Sequence, residues 1–456
     1  MSTGLPTLSW LGIARLGLVQ AMLGAVVVLT TSTLNRVMVV ELALPALLPG
    51  LLVALHYAVQ LSRPRMGFGS DTGARRTPWI MGGMLVLAVG GATAAVATAW
   101  MGTRPAAGIA LAMFAFMLVG LGVSASGTAL LTLLAKRVDA PRRASAAALV
   151  WVMMIVGFAV TAGVAGHWLD PYTPARLVQV SGTVSLVAVL VTALALWRVE
   201  GHGHSAIAGQ DSAITPTRFR QALAEVWAEP EARRFTIFVF VSMLAYSAQD
   251  LILEPFAGVM FGFTPGESTQ LSGVQHGGTL AGMLLAALAG RRLGGASFGS
   301  LRLWTVGGCI ASCLALAGLV VAGLGAAPHW PLRANVFLLG VANGAFSIAA
   351  IGSMMALAGG GQAGRPAREG TRMGLWGAAQ AIGFAGGGVI GTAASDLARW
   401  LLGAPGPAYA AVFAAEAVLF IVSAWLAASI VVPALRRPTE PVARAMPSGP
   451  VVQELR

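Results

Sequence analysis

The chain has 456 residues, 57% of them hydrophobic and only 10% charged, with a mean hydropathy of +0.78. An ordinary soluble domain carries about a quarter charged residues, so this balance excludes a soluble globular protein and indicates a polytopic membrane protein. The net charge of +12 comes without any RNA- or DNA-binding motif, and topology and anionic lipid account for it better than nucleic acid does.

Stretches of about 20 mostly apolar residues cross a bilayer core. Twelve are read along the chain, at 12–34, 44–62, 78–100, 107–134, 144–168, 177–197, 235–253, 268–289, 301–325, 334–358, 373–395 and 407–432. The first is long and lacks a small-residue cleavage site, so it reads as a span rather than a signal peptide. Of the 29 Lys and Arg residues, 24 fall on one side of this alternation; only Arg36, Arg104, Arg176, Arg333 and Arg399 fall on the other. Positive charge marks the cytoplasmic side, so both termini are expected there, in an inner-type membrane.

The first span ends in NRVMVVEL, which places Asn35, Arg36 and Glu41 where a membrane helix should be apolar. The second span carries His56 within ALHYAVQ. The loop after it, GFGSDTGARR, contributes Gly67, Ser70, Asp71, Arg75 and Arg76. In this loop the acid is placed to cap a helix start, small residues permit close approach, and the arginines hold a cytoplasmic gate by charge pairs.

After span six the chain turns polar from Glu200 to about Glu231, including His202 and His204, which read as solvated linker. Phe219, Leu223, Val226 and Trp227 then share one face, as in a short amphipathic helix on the membrane surface. The expected organisation is an N-terminal half (1–198), this linker (199–234), a C-terminal half (235–435) and a disordered tail (436–456).

In span seven, Gln249, Asp250 and Glu254 repeat the polar break of span one. Asp250 and Glu254 are four apart and share a helix face, and Arg36 is placed to neutralise one of them. Gln275 and His276 follow in GVQHGGT, where Gly277 and Gly278 would leave room for a flat ring. A neutral imidazole ligates metals, including the Mg of a chlorophyll-type macrocycle, when its other nitrogen is held. His56 and His276 are therefore candidate ligands, with Asn35 and Gln275 weaker ones; the alternative is hydrogen-bonded packing. Ionisable groups in lipid face a cavity or a partner, so Arg36, Glu41, Asp250, Glu254 and Glu416 form a candidate polar seam, for structural pairing or proton coupling.

Cys309 and Cys313 read as packing residues of span nine. Span eleven, GLWGAAQAIGFAGGGVIG, spaces Gly383, Gly387 and Gly391 four apart, which lets helices pack closely. The repetition of the polar break in a second set of six spans defines the expected fold. It is an all-α polytopic membrane protein with twelve transmembrane helices in two pseudo-symmetric six-helix halves, as in the major facilitator superfamily.

STLNRVMVVELALPALLPG, with the Gly67–Arg76 loop, resembles the bacteriochlorophyll delivery family of facilitator-fold proteins, the PucC and LhaA type. MGLWGAAQAIG, Met373 to Gly383, resembles that family's eleventh-span motif, and ALHYAVQLSRPRMG is closer to the branch associated with bacteriochlorophyll synthesis genes. Asn35, Arg36 and Glu41 match the first motif; Gly67, Ser70, Asp71, Arg75 and Arg76 match the loop; Trp376, Gly377 and Gln380 match the eleventh span. The resemblance implies a non-enzymatic membrane factor of a phototrophic bacterium. It would bind bacteriochlorophyll or a late precursor and help deliver it to light-harvesting complexes. Antenna polypeptides or a bacteriochlorophyll-synthesising enzyme would be its partners. Composition and fold by themselves favour a proton-coupled transporter of a small solute, using Asp250, Glu254 or Glu416; the family motifs point the other way.

Overall fold

The computed structural model describes residues 7–62, 75–200, 224, 226–289, 300–326, 329–359 and 369–430, and every regular element among them is helical. In chain order these are α1 (Trp10–Glu41), α2 (Leu47–Val59, extended by a 3-10 turn), α3 (Thr77–Met101), α4 (Pro105–Arg137), α5 (Ala140–Leu169) and α6 (Pro174–Leu196). There follow α7 (Pro230–Phe261), α8 (Pro265–Ala289), α9 (Leu301–Val321), α10 (Leu332–Gly359), α11 (Glu369–Leu402) and α12 (Pro405–Ser429). Among the described residues ten helices are long and apolar enough to cross a bilayer. The others are α2, with 13 residues, and α8, whose 25 residues include Gln270, Ser272, Gln275 and His276. Of the expected amphipathic helix, only Ala224 and Val226–Ala228 are described; Val226 is buried and Trp227 exposed. The expected tail lies outside the described residues.

The helix ends follow local chemistry. Proline stands in the first turn of α3, α4, α5, α6, α7 and α12, where its missing N–H costs nothing. Ser9, Thr173 and Ser300 accept a backbone N–H at the starts of α1, α6 and α9. Gly262 closes α7 at φ 68°, a conformation that L side chains rarely adopt. Exposed tryptophans mark both rims: Trp10, Trp197 and Trp425 at the end where α1 starts (the near end), Trp100, Trp168 and Trp400 at the end where it stops (the far end). Such belts sit at lipid headgroup level.

Burial is organised around separate apolar cores. One cluster is drawn wholly from Phe235–Ile430 and a second wholly from Leu8–Val199; a third runs from Val28 to Val180 and adds Leu251 of α7. Helix α1 packs on α5 and α6, α3 on α4, α7 on α11 and α12, and α9 on α10 and α12. Contacts between the earlier and later helices run chiefly through α5 with α8 and α2 with α11. The tightest approach is α8 on α10. Cβ atoms on Gly278 and Gly282 would fall inside the van der Waals shells of the Phe337 and Val341 carbonyl oxygens, and on Gly340 and Gly344 inside those of Gln275 and Thr279. Small residues in reciprocal register let the two backbones touch, which is how helices associate where lipid offers no hydrophobic drive.

At the far end two acids close helix starts contributed by distant sequence. Asp396 of α11 accepts the Ala46 and Leu47 amides at 3.0 and 2.8 Å, at the start of α2. Asp170, just past α5, accepts the Thr264 hydroxyl at 2.8 Å and the Gly266 amide at 3.3 Å, at the start of α8. Asp396→Ala is expected to lower stability by about 1–2 kcal/mol, the worth of a good N-cap. Thermal unfolding in detergent measures it, and an unchanged midpoint would remove the cap from the account.

Candidate functional site

The site begins with an irregularity in α1. Its backbone is α-helical to Val28, widens into π turns at Leu29–Thr33 and Val37–Glu41, and makes one α turn between them. A π turn bonds i to i+5 and so stacks side chains five apart. Arg36 and Glu41 accordingly meet at 2.5 Å. The direct ion pair of Arg36 is therefore with Glu41 and not with Asp250 or Glu254, although its charge still reaches Glu254. The guanidinium goes to Glu41 on its own helix and, through Nη2, to the Phe263 carbonyl at 2.6 Å. Just beyond, in the loop after α5, burial first and the Glu41 carboxylate second raise the Tyr172 phenol above its ordinary range.

Across the seam, α1 meets α7 and α8 through polar groups. Ser32 and Ser272 hydroxyls lie 3.3 Å apart, Thr33 and Thr269 3.0 Å, and Asn35 donates to the Leu251 carbonyl at 2.6 Å. The Gln275 amide donates to Asp250 at 3.0 Å. Glu254 is buried within reach of the Arg36 and Asp250 charges with the Ser32 and Ser272 hydroxyls beside its carboxylate, and neither oxygen makes a geometrically complete hydrogen bond. The same holds for both oxygens of Glu416 in α12, whose charge also interacts with Asp250, and for both amide atoms of Gln249. Groups so buried cost free energy unless something satisfies them. Four helices, α1, α7, α8 and α12, thus bring Asn35, Gln249, Asp250, Glu254, Glu416 and Gln275 to one seam.

The two histidines differ. His276 Nδ1 lies 2.8 Å from the Ser272 carbonyl, which only accepts, so Nδ1 carries the proton and a neutral ring keeps its lone pair on Nε2. Phe158 of α5 stands edge-on to it, centroids 4.9 Å apart. A Cβ at Gly277 would meet nothing, but Gly278 is filled by the α10 backbone, so the expected room for a flat ring exists on one side only. His56 is buried beside α4, and its Nε2 meets the Gln60 amide at 2.7 Å.

Sequence reasoning missed an aromatic ladder crossing from α2 to α7. Tyr57 stacks on Phe384 of α11 at 5.4 Å, and Phe384 meets Tyr246, one turn before Asp250, at 5.9 Å. A Tyr one turn from a buried acid was the available signal. The four-residue spacing of small residues in α11 lies against α7: Gly383, Gly387 and Gly391 face Phe240, Leu244 and Ala248. Trp376 is buried edge-on to Phe235 at 4.9 Å, Gln380 lies 3.9 Å from the Met243 sulfur, and Gly377 faces open space.

Of the near-end loop motif, Gly67, Ser70 and Asp71 lie outside the described residues. Arg75 is exposed, and the Arg76 and Thr77 amides both donate to Glu200 at 2.8 Å, closing the start of α3. Arg372 pairs with Glu229 at 2.7 Å, fastening the start of α11 beside that of α7. Cys309 and Cys313 are free thiols. Among the described residues, no three His, Cys, Asp or Glu side chains are grouped to hold a metal ion.

An all-helical membrane chain of this arrangement has the fold of major facilitator transporters. A mutant form of the nucleoside transporter NupG superposes with a TM-score of 0.67 at 14% identity, over 92% of this chain and 99% of that one. The model of the family described as PUCC protein matches residues 33–435. "Bacteriochlorophyll synthase 44.5 kDa chain" of Rhodobacter capsulatus is 53% identical over 425 residues, covering 93% of this chain and 96% of that protein. "Protein PucC" of Rhodobacter capsulatus is 32% identical over 451 residues, covering 93% and 92%. The chain belongs to the PucC family.

Proposed function

We propose that the protein is a membrane factor that binds (bacterio)chlorophyll and assists its delivery to light-harvesting complexes during their assembly in a phototrophic bacterium. The observation that carries this reading is the 53% identical relative named for bacteriochlorophyll synthesis. The transporter-type fold supports a carrier rather than an enzyme. We read twelve spans in two six-helix halves, the near end cytoplasmic in an inner, photosynthetic membrane. The separate apolar cores and the one-sided Lys and Arg distribution support that arrangement. Antenna polypeptides or a pigment-synthesising enzyme are the partners such a role requires.

Within this reading His276 is the better ligand for the pigment's Mg. A carbonyl holds its Nδ1 proton, which orients the ring and leaves Nε2 to bind, and Gly277 leaves one face open. His56 has its Nε2 engaged by Gln60. The ladder Tyr57–Phe384–Tyr246 offers flat apolar surface at the seam.

The test is the absorption spectrum of protein purified in mild detergent from a pigment-making phototroph. A near-infrared band at fixed stoichiometry is expected, lost in His276→Leu and Gly277→Leu and retained in His56→Leu. A colourless, folded protein would defeat the reading. The second reading, a proton-coupled solute transporter, has its own support in the buried carboxylates of Glu254 and Glu416, the latter without a hydrogen-bond partner. Proton uptake by proteoliposomes with an added solute, abolished by Glu416→Gln, would favour it.

A further inference from the structure

Away from the seam, at the far end, α5, α8 and the start of α10 border an open surface cleft of about 350 Å³. Three polar side chains from three helices stand at it: His167 of α5, Gln270 of α8 and Arg333 of α10. Among the described residues none of the three makes a hydrogen bond or ion pair; the Arg333 guanidinium only rests over the Phe263 ring at 5.7 Å. The remainder of the lining is small and apolar, chiefly Ala159, Gly163 and Gly273.

The geometry has a direction. Ala159, Gly163 and His167 recur every four residues on one face of α5, a strip of roughly 12 Å at 1.5 Å per residue. His167 and the exposed Trp168 lie in the last turn of α5, and Arg333 in the first turn of α10. The polar groups are thus at headgroup level, and the apolar strip descends from them toward the bilayer core. A Cβ on Gly163 would meet nothing within 4 Å, so the strip is open on the side away from its contact with Gly273 of α8.

We propose that this cleft binds one anionic phospholipid, its phosphate held by Arg333, His167 and Gln270 and one acyl chain laid over Gly163 and Ala159. A guanidinium with two further donors suits a phosphate, and small residues beneath it give a chain room to lie against the helix. The lipid bridges α5 to α8 and α10, so occupancy stabilises that contact by mass action.

Native mass spectrometry and thermal unfolding of the full chain in detergent test this. Phosphatidylglycerol, phosphatidylcholine of the same chains, and inorganic phosphate are compared. One phosphatidylglycerol is expected to be retained under activation that strips phosphatidylcholine, and to raise the unfolding midpoint. Arg333→Gln and Gly163→Leu should each weaken its binding about tenfold or more. Both sites are open in the free protein, so both variants should fold, and Gly182→Leu, also at an open glycine, should leave binding unchanged. Equal retention of the two lipids, or wild-type binding by either cleft variant, would overturn the proposal. Stabilisation by inorganic phosphate alone, equal to that by phosphatidylglycerol, would reduce the cleft to an anion site and overturn the acyl-chain part.

Discussion

Gly282→Leu is expected to remove most folded protein from the membrane, a loss of about 3 kcal/mol or more, at the top of the range for overpacking. The reason is what the new side chain meets. At Gly282 the obstacle is the Val341 carbonyl and the chain following it, backbone that sits in the middle of α10 and has no rotamer to change. Gly344 on α10 meets the Thr279 carbonyl in the same way, so the two helices would have to separate along their length. Gly307→Leu, where a Cβ meets nothing, is the matching control and should accumulate like wild type. Fluorescence-detected size exclusion of tagged protein measures both. Equal monodisperse yields for the two variants would show that α8 and α10 are not seated as described.

Arg36→Met should cost about 2–3 kcal/mol, less than the 3–5 kcal/mol typical when one partner of a fully buried pair is removed. The discount follows from asymmetry: the Arg36 side chain is 2% exposed, but that of Glu41 is 34% exposed, so solvent screens the charge left behind. The variant also removes the donor to the Phe263 carbonyl. Adding Glu41→Gln should regain about 1 kcal/mol, because the stranded carboxylate is gone. Arg36→Lys should not rescue fully, since one ammonium lacks the fork that serves two acceptors at once. Denaturation midpoints of wild type, Arg36→Met, Glu41→Gln and the double variant form the cycle, with Arg36→Lys measured beside it. A double variant no more stable than Arg36→Met would show that Glu41 carries no penalty when alone.

Much of the layout was legible in the sequence because lipid imposes it. Apolar runs and the Asn35–Arg36–Glu41 interruption, with its repeat at Gln249, Asp250 and Glu254, each follow from the cost of unsatisfied polar groups in hydrocarbon. The motifs around Asn35 and Trp376 were also sufficient to indicate the family. What escaped was pairing. Asp396 and Asp170 are isolated acids at span ends, and nothing local says that each closes a helix from elsewhere in the chain. Gly278 reads as open space beside His276 until α10 is laid on it. Tyr57, Phe384 and Tyr246 come from three helices with no common spacing. The partner of Arg36 was misread because sequence periodicity assumes 3.6 residues per turn, and α1 departs from that figure at this point.

That departure has a consequence for how α1 tolerates change. Each wide turn takes up one residue more than an α turn, which advances the rest of the helix by about 100° of rotation without altering its axis. Before Leu29 the helix packs on α5 and α6; after the first offset it presents Asn35 and Arg36 to α7 and the loop beyond it. The segment acts as a built-in phase shift. A one-residue deletion near Thr31 would therefore leave a perfectly good hydrophobic helix, of ordinary pitch and nearly the same length, with its polar residues swung out of register. Here the number of residues matters as much as their identity.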